Sequence, residues 1–161
     1  MKRFPLEPLT RVRDLRLEAQ QKRVTECRAE VAQAEQLREQ ARQARSDTGD
    51  RRSAHQRACE SALDDPLRLA PGWLERAERH REWLDNEIVR GDAAVAAADR
   101  QVAQAEARLR EEIAKLRAAQ AKVDALENFR DEWTRKRQSE QERREEQDGE
   151  ELFRLPAHAM R

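Results

Sequence analysis

Histidine, cysteine, paired carboxylates and tryptophan are the side chains of this sequence that could do chemistry. His55, His80 and His158 share no HExxH or other metal-ligand spacing. Cys27 and Cys59 stand far apart with no CxxC, and read as reduced thiols of a cytosolic protein. Asp64-Asp65, Glu111-Glu112 and Glu145-Glu146 pair carboxylates as acid–base catalysis does. In a chain that is 41% charged, however, they fit a solvated helical face. The four glycines are scattered singly, so no loop is built to cradle a phosphate. No catalytic, cofactor-binding or metal-binding residues are expected.

The aromatic and basic residues suggest contacts instead. Trp73, Ala77, His80 and Leu84 are spaced as one helix face, with Leu74 and Trp83 beside them, and aromatic anchors are what binding surfaces favour. The alternative is that Trp73 and Trp83 only cover the end of a helical hairpin. A second group is basic: Arg130, Arg135, Lys136, Arg137, Arg143 and Arg144, near which an antiparallel fold would bring Lys2, Arg3, Arg11, Arg13 and Arg16. Trp133 falls on a heptad seam and reads as core.

Two helices must position these groups. From Leu74 to Trp133 the sequence steps alternately three and four residues through Leu84, Ile88, Val95, Ala98, Val102, Ala105, Leu109, Leu116, Ala119, Val123 and Leu126. About eight heptads in one frame, on two positions in seven, are the seam of a coiled coil. An earlier seam runs from Leu9, Val12 and Leu17 through Val24, Cys27, Val31, Ala34 and Ala41. It turns polar at Arg38, Arg45, Thr48, Arg52 and His55, and resumes at Cys59 and Ala62. The polar run contains Ser46-Asp47-Thr48-Gly49-Asp50, where a kink or break is expected. Two prolines and a glycine between Asp64 and Gly72 mark a linker. The reading is all-α: an antiparallel coiled-coil hairpin with a helix over about 8–63, a linker over 64–72, a helix over about 73–147 and a loose tail over 149–161. Gly149 should end the second helix. The tail's one feature is the apolar cluster Leu152-Phe153-Arg154-Leu155-Pro156.

Large residues at one heptad position of each helix and small ones at the other fit antiparallel packing, large against small. The implied register sets Leu17 on Ala119, Cys27 on Leu109, Val31 on Ala105, Ala34 on Val102, Ala41 on Val95 and Ala62 on Leu74, with Val24 on Glu112 the exception. Facing residue numbers then sum to about 136, the linker setting the phase. At about 1.5 Å per residue the arms span roughly 80 and 110 Å, a thin rod with an overhanging second helix and no concave substrate cavity. The polar half near the linker should be the less tightly zipped.

Composition limits the function classes. Thirty-three basic and 33 acidic side chains give zero net charge, against a nucleic-acid partner or a basic membrane-surface helix. No apolar run approaches a membrane span, and no signal-peptide core is evident.

The opening Phe4-Pro-Leu6-Glu7-Pro-Leu9-Thr-Arg11-Val12-Arg13 resembles the start of FliJ-like proteins, the central-stalk components of flagellar and type III secretion export ATPases; injectisome members are termed YscO-like. The motif covers about ten residues, the architecture the whole chain. The resemblance implies a non-enzymatic, monomeric stalk in the cytoplasm at the base of a membrane-embedded, virulence-type secretion apparatus. Its partners would be a hexameric export ATPase, an export-gate protein and secretion chaperones. Phe4, Leu6, Leu9, Arg11, Arg13, Arg130, Trp133 and Arg137 would meet the ATPase ring. Trp73, Leu74, Ala77, His80, Trp83 and Leu84 would meet the gate. Arg45, Arg52 and His55 stand where flagellar members carry tyrosine, which favours an injectisome member. The alternative is a coiled-coil scaffold or adaptor that self-associates, unrelated to secretion.

Overall fold

In the computed structural model residues 3–154 are described, with side chains described through residue 150. Helix α1 spans Glu7–Leu63 and helix α2 spans Trp73–Arg154, with one 3₁₀ turn at Pro66–Arg68 between them. The two helices pack against each other as an all-α hairpin, with no strand among the described residues. Contacts divide the chain into two compact units. A terminal unit holds the residues up to Lys22 and those from Ala114 onward; a tip unit holds Arg23–Ile113.

In the tip unit the seam follows the heptad frame. Val24, Leu84, Ala98, Val102 and Ala105 are buried, and Val31, Ala34, Ala41, Ile88, Val95 and Leu109 half-buried. Each large aliphatic side chain so covered contributes about 1.5–3 kcal/mol when burial is complete. Cys27 is a half-buried seam thiol whose pKa is raised, first by burial and then by Glu30, Glu112 and Glu26. Glu112 therefore stands close to this part of the seam, as the register placed it.

The polar stretch of α1 departs from expectation. The helix runs unbroken through 46–50 because the cap-type side chains bond back into it: Thr48 Oγ1 donates to the Ala44 carbonyl (3.0 Å) and Ser53 Oγ to that of Gly49 (3.1 Å). Nor is this stretch loosely zipped. Arg42 donates to Asp99 (3.1 Å), Arg45 to Asp92 (2.6 Å) and Arg52 to Asp85 (2.6 Å). These aspartates are spaced seven apart and each follows a seam residue, Leu84, Gly91 or Ala98. The stems of Arg45 and Arg52 thus fill seam positions while their guanidinium groups reach aspartates on the facing helix, and exposed Arg42 reaches across from beside Ala41. A half-exposed pair of this kind contributes under about 1 kcal/mol, but Arg45–Asp92 and Arg52–Asp85, one heptad apart, together oppose a slip of register. The pairs Arg45–Asp92 and Arg52–Asp85 have residue numbers that sum to 137. Gly91 permits the approach, since a Cβ there would lie 3.3 Å from Arg45 Cβ.

Arg38 also holds a seam position, and its Nε is buried with no hydrogen-bond partner. An unpaired buried donor costs about 1–3 kcal/mol. Arg38→Leu is expected to raise the melting temperature by about 2–4 °C, a gain of about 1 kcal/mol; an unchanged or lower value by circular dichroism would contradict the assignment.

In the terminal unit the frame runs through Leu6, Thr10, Arg13 and Leu17, not through Leu9 and Val12, which are exposed. Val123 is buried, and Leu116, Ala119 and Leu126 half-buried. Gly149 does not stop α2, which continues to Arg154. A C-terminal glycine ends a helix by taking positive φ, and among the described residues only Gly72 does so. The expected loose tail is therefore helical over 149–154. The side chains of Leu152, Phe153 and Arg154 are outside the described part, as are Leu155, Pro156, His158 and Lys2.

Candidate docking surfaces

The tip unit builds its surface on a tight linker. Leu63 ends α1, Arg68 and Leu69 donate backbone N–H groups to the Asp65 and Pro66 carbonyls, and Gly72 turns the chain into α2 at φ 72°. A side chain at residue 72 would strain that backbone. Arg76 donates to the Pro71 carbonyl (3.2 Å), holding the turn to the first turn of α2.

A small polar network lies behind it. His55 Nε2 is 2.9 Å from the Ala77 carbonyl oxygen and 3.5 Å from Cys59 Sγ. The His80 ring meets His55 edge-on at 4.7 Å between centroids, and Trp83 stacks on His80 at 5.7 Å. Arg52 and Arg81, bound to Asp85 and Glu78, flank this group. Edge-on imidazoles do not converge their nitrogens. Among the described residues no three His, Cys, Asp or Glu side chains are placed to hold a metal ion.

The expected tip face is divided by this geometry. Leu84 is 1% exposed and belongs to the seam, as does half-buried Ala77, whose carbonyl faces His55. Neither presents a contact surface. Both lie on the side of α2 that faces α1. His80 is exposed, Trp83 is 47% exposed and Leu74 is 65% exposed, so these remain available, with half-buried Trp73 between two open clefts. Leu74 accordingly does not fill the seam opposite Ala62. Leu63 and Leu67, not singled out by periodicity, are exposed here. The signal that could have found them is two leucines flanking a proline-rich linker with no seam to enter.

The terminal unit is organised by an aromatic clasp. Phe4 is buried, its ring 5.6 Å from Trp133 in edge-on contact and 6.0 Å from Phe129. The Arg137 guanidinium lies 5.1 Å above the Trp133 ring, a cation–π contact. Glu7, at the positive end of α1, lies 3.8 Å from Arg130. Half-buried Leu6 gives its carbonyl to the Thr10 N–H and hydroxyl. Arg13 is half-buried with its Nε unpaired. Phe4 on Phe129 and Trp133, and Glu7 beside Arg130, thus hold the start of α1 on α2; Arg137 covers Trp133, and Leu6 and Arg13 are half-buried at the same end. Leu9 and Arg11 point outward, and Val12, Leu15 and Arg16, outside the expected set, are exposed with them.

The opening motif has two physical jobs here, one side closing the hairpin and the other facing solvent. A model of the YscO-like protein family matches residues 1–155, nearly the whole chain. The chain belongs to the YscO-like family. That places this YscO-like chain among proteins associated with type III secretion. No match was found among curated proteins, and none among solved structures. Among the described residues of the YscO-like chain, no helix is long and apolar enough to cross a membrane.

Proposed function

We propose that this YscO-like chain is a non-enzymatic stalk and coupling component of a type III export machine, acting in the cytoplasm at the base of the membrane-embedded apparatus. The terminal unit engages a hexameric export ATPase, and the tip unit contacts the export gate; export chaperones are a further partner. The family match over residues 1–155 carries the reading. The surface chemistry supports it: Leu9, Val12 and Leu15 form an exposed apolar strip edged by Arg11 and Arg16, suited to an amphipathic, acidic counterpart.

A self-associating scaffold would need a second seam. Beyond Trp133 the heptad frame of α2 holds Arg137, Glu140, Arg144 and Gln147, all exposed, which offer a second copy nothing to bury. A monomer is expected in sedimentation at micromolar concentration.

The deciding experiment titrates the chain into the purified cognate ATPase. Hydrolysis per subunit should rise, and Arg11→Glu with Arg16→Glu should raise the half-saturating concentration about tenfold without changing the melting curve. Absence of stimulation by the unmodified chain would overturn the proposal.

A further inference from the structure

At the linker end of the tip unit the chain leaves several large apolar side chains uncovered, Leu63, Leu67 and Leu74 among them. Leu63, Leu69, Ala70, Trp73, Leu74 and Glu75 border an open groove of about 310 Å³. Leu67, in the same linker, is 98% exposed.

The charges around this groove do not balance. In the neighbouring cleft Arg52 is bound to Asp85, Arg81 to Glu78, and Gln56 donates to Glu60. At the groove itself Arg68 is bound to Asp65, whereas Arg76 donates to the neutral Pro71 carbonyl and keeps its charge. The carboxylates of Glu75, and of Asp64 next to the lining Leu63, have no hydrogen-bond or ion-pair partner among the described residues. Glu75 gains from the positive end of α2. Asp64 has no such compensation, because it follows the negative end of α1, whose last turn carries no basic residue. An apolar floor under a rim where two unpaired carboxylates face one unpaired cation, Arg76, complements two adjoining groups, one large and apolar, the other cationic.

We propose that this groove binds a protein segment carrying a leucine- or phenylalanine-sized side chain with a lysine or arginine within two residues of it. The apolar side chain lies between Leu63, Leu69 and Leu74, and the cation meets Glu75 and Asp64. This rests on the reading of the tip as a contact surface, and adds to it the chemistry of what is contacted.

A random heptapeptide phage library selected on the full-length chain tests the idea. The selected peptides should pair a large apolar residue with Lys or Arg. The synthetic consensus peptide, followed by fluorescence anisotropy, should bind about tenfold more weakly to Glu75→Lys and about threefold more weakly to Asp64→Asn. Leu74→Asp should remove measurable binding; all three sites lie on the surface, so folding is retained and checked by circular dichroism. A consensus lacking the cation, equal binding to Glu75→Lys, or no selection that depends on Leu74 would overturn the proposal. Binding of the purified cytoplasmic domain of the export gate separates the two layers. Gate binding that is lost with Leu74→Asp but unchanged with Glu75→Lys rejects the peptide chemistry alone. No gate binding by the unmodified chain rejects the tip reading itself.

Discussion

Replacing Leu84 by alanine should destabilise the tip unit by about 3 kcal/mol, because the side chain is fully buried and little can collapse into its place. The Arg52–Asp85 bond ties the adjacent residue of α2 to α1, so the helices are held at their native spacing while the cavity forms. For a chain of this length the loss corresponds to a fall in melting temperature of about 6–12 °C. Leu84→Met keeps the volume and should cost less than about 1.5 kcal/mol. The comparison also separates two roles for this residue. A contact surface residue would leave the melt unchanged and weaken only a partner. A seam residue changes the melt in the isolated protein, and this second outcome is expected. A melt unchanged by Leu84→Ala would remove Leu84 from the core.

Phe4→Ala should release the start of α1 while leaving the tip unit intact. Phe4 is 6% exposed between Phe129 and Trp133, so truncation removes its burial together with two ring contacts, about 2–3 kcal/mol of local stability. Loss of that amount raises the population of the locally opened state about 30- to 150-fold. The Thr10 amide, bonded to the Leu6 carbonyl at 3.0 Å, should exchange with deuterium faster by that factor. Amides near Val102, in the other unit, should keep their rates. Because the exposed strip Leu9–Leu15 sits on the released turns, ATPase stimulation should weaken as well. An unchanged Thr10 exchange rate would mean that Phe4 does not hold this end.

The heptad frame was legible wherever aliphatic and alanine residues alternate, from Leu17 to Ala41 and from Ile88 to Leu126. The structure keeps those positions inward. The frame misled where hydrophobicity and phase disagree. At the start of α1 the phase continues through Arg13, Thr10 and Leu6, while the more hydrophobic Leu9 and Val12 lie off it and stay exposed. Extending the 3–4 spacing backward from Leu17 would have found this. Arg45 and Arg52 look like breaks in a seam when polarity alone is counted. Their partners were in the sequence as Asp92 and Asp85, seven residues apart and flanking the seam where coiled coils place pairing charges. Gly149 could not be placed from its type, because glycine permits a positive φ without imposing one. The tip surface was half legible: a 3.6-residue face locates Trp73, Ala77, His80 and Leu84 together, but which way the face turns depends on the facing helix.

The assignments in the tip unit depend on one register, and a disulfide reads it directly. A Cβ on Gly91 would lie 3.3 Å from Arg45 Cβ, close to the separation a disulfide requires. In a background with Cys27 and Cys59 replaced by serine, Arg45→Cys with Gly91→Cys should oxidise within one chain to near completion. Pairing Gly91→Cys with Arg38→Cys or Arg52→Cys shifts the partner by a heptad, about 10 Å along the helix, and should give no bond. Efficient bonding to residue 38 or 52 in preference to 45 would contradict the register of the tip unit, and with it the placement of its docking surface.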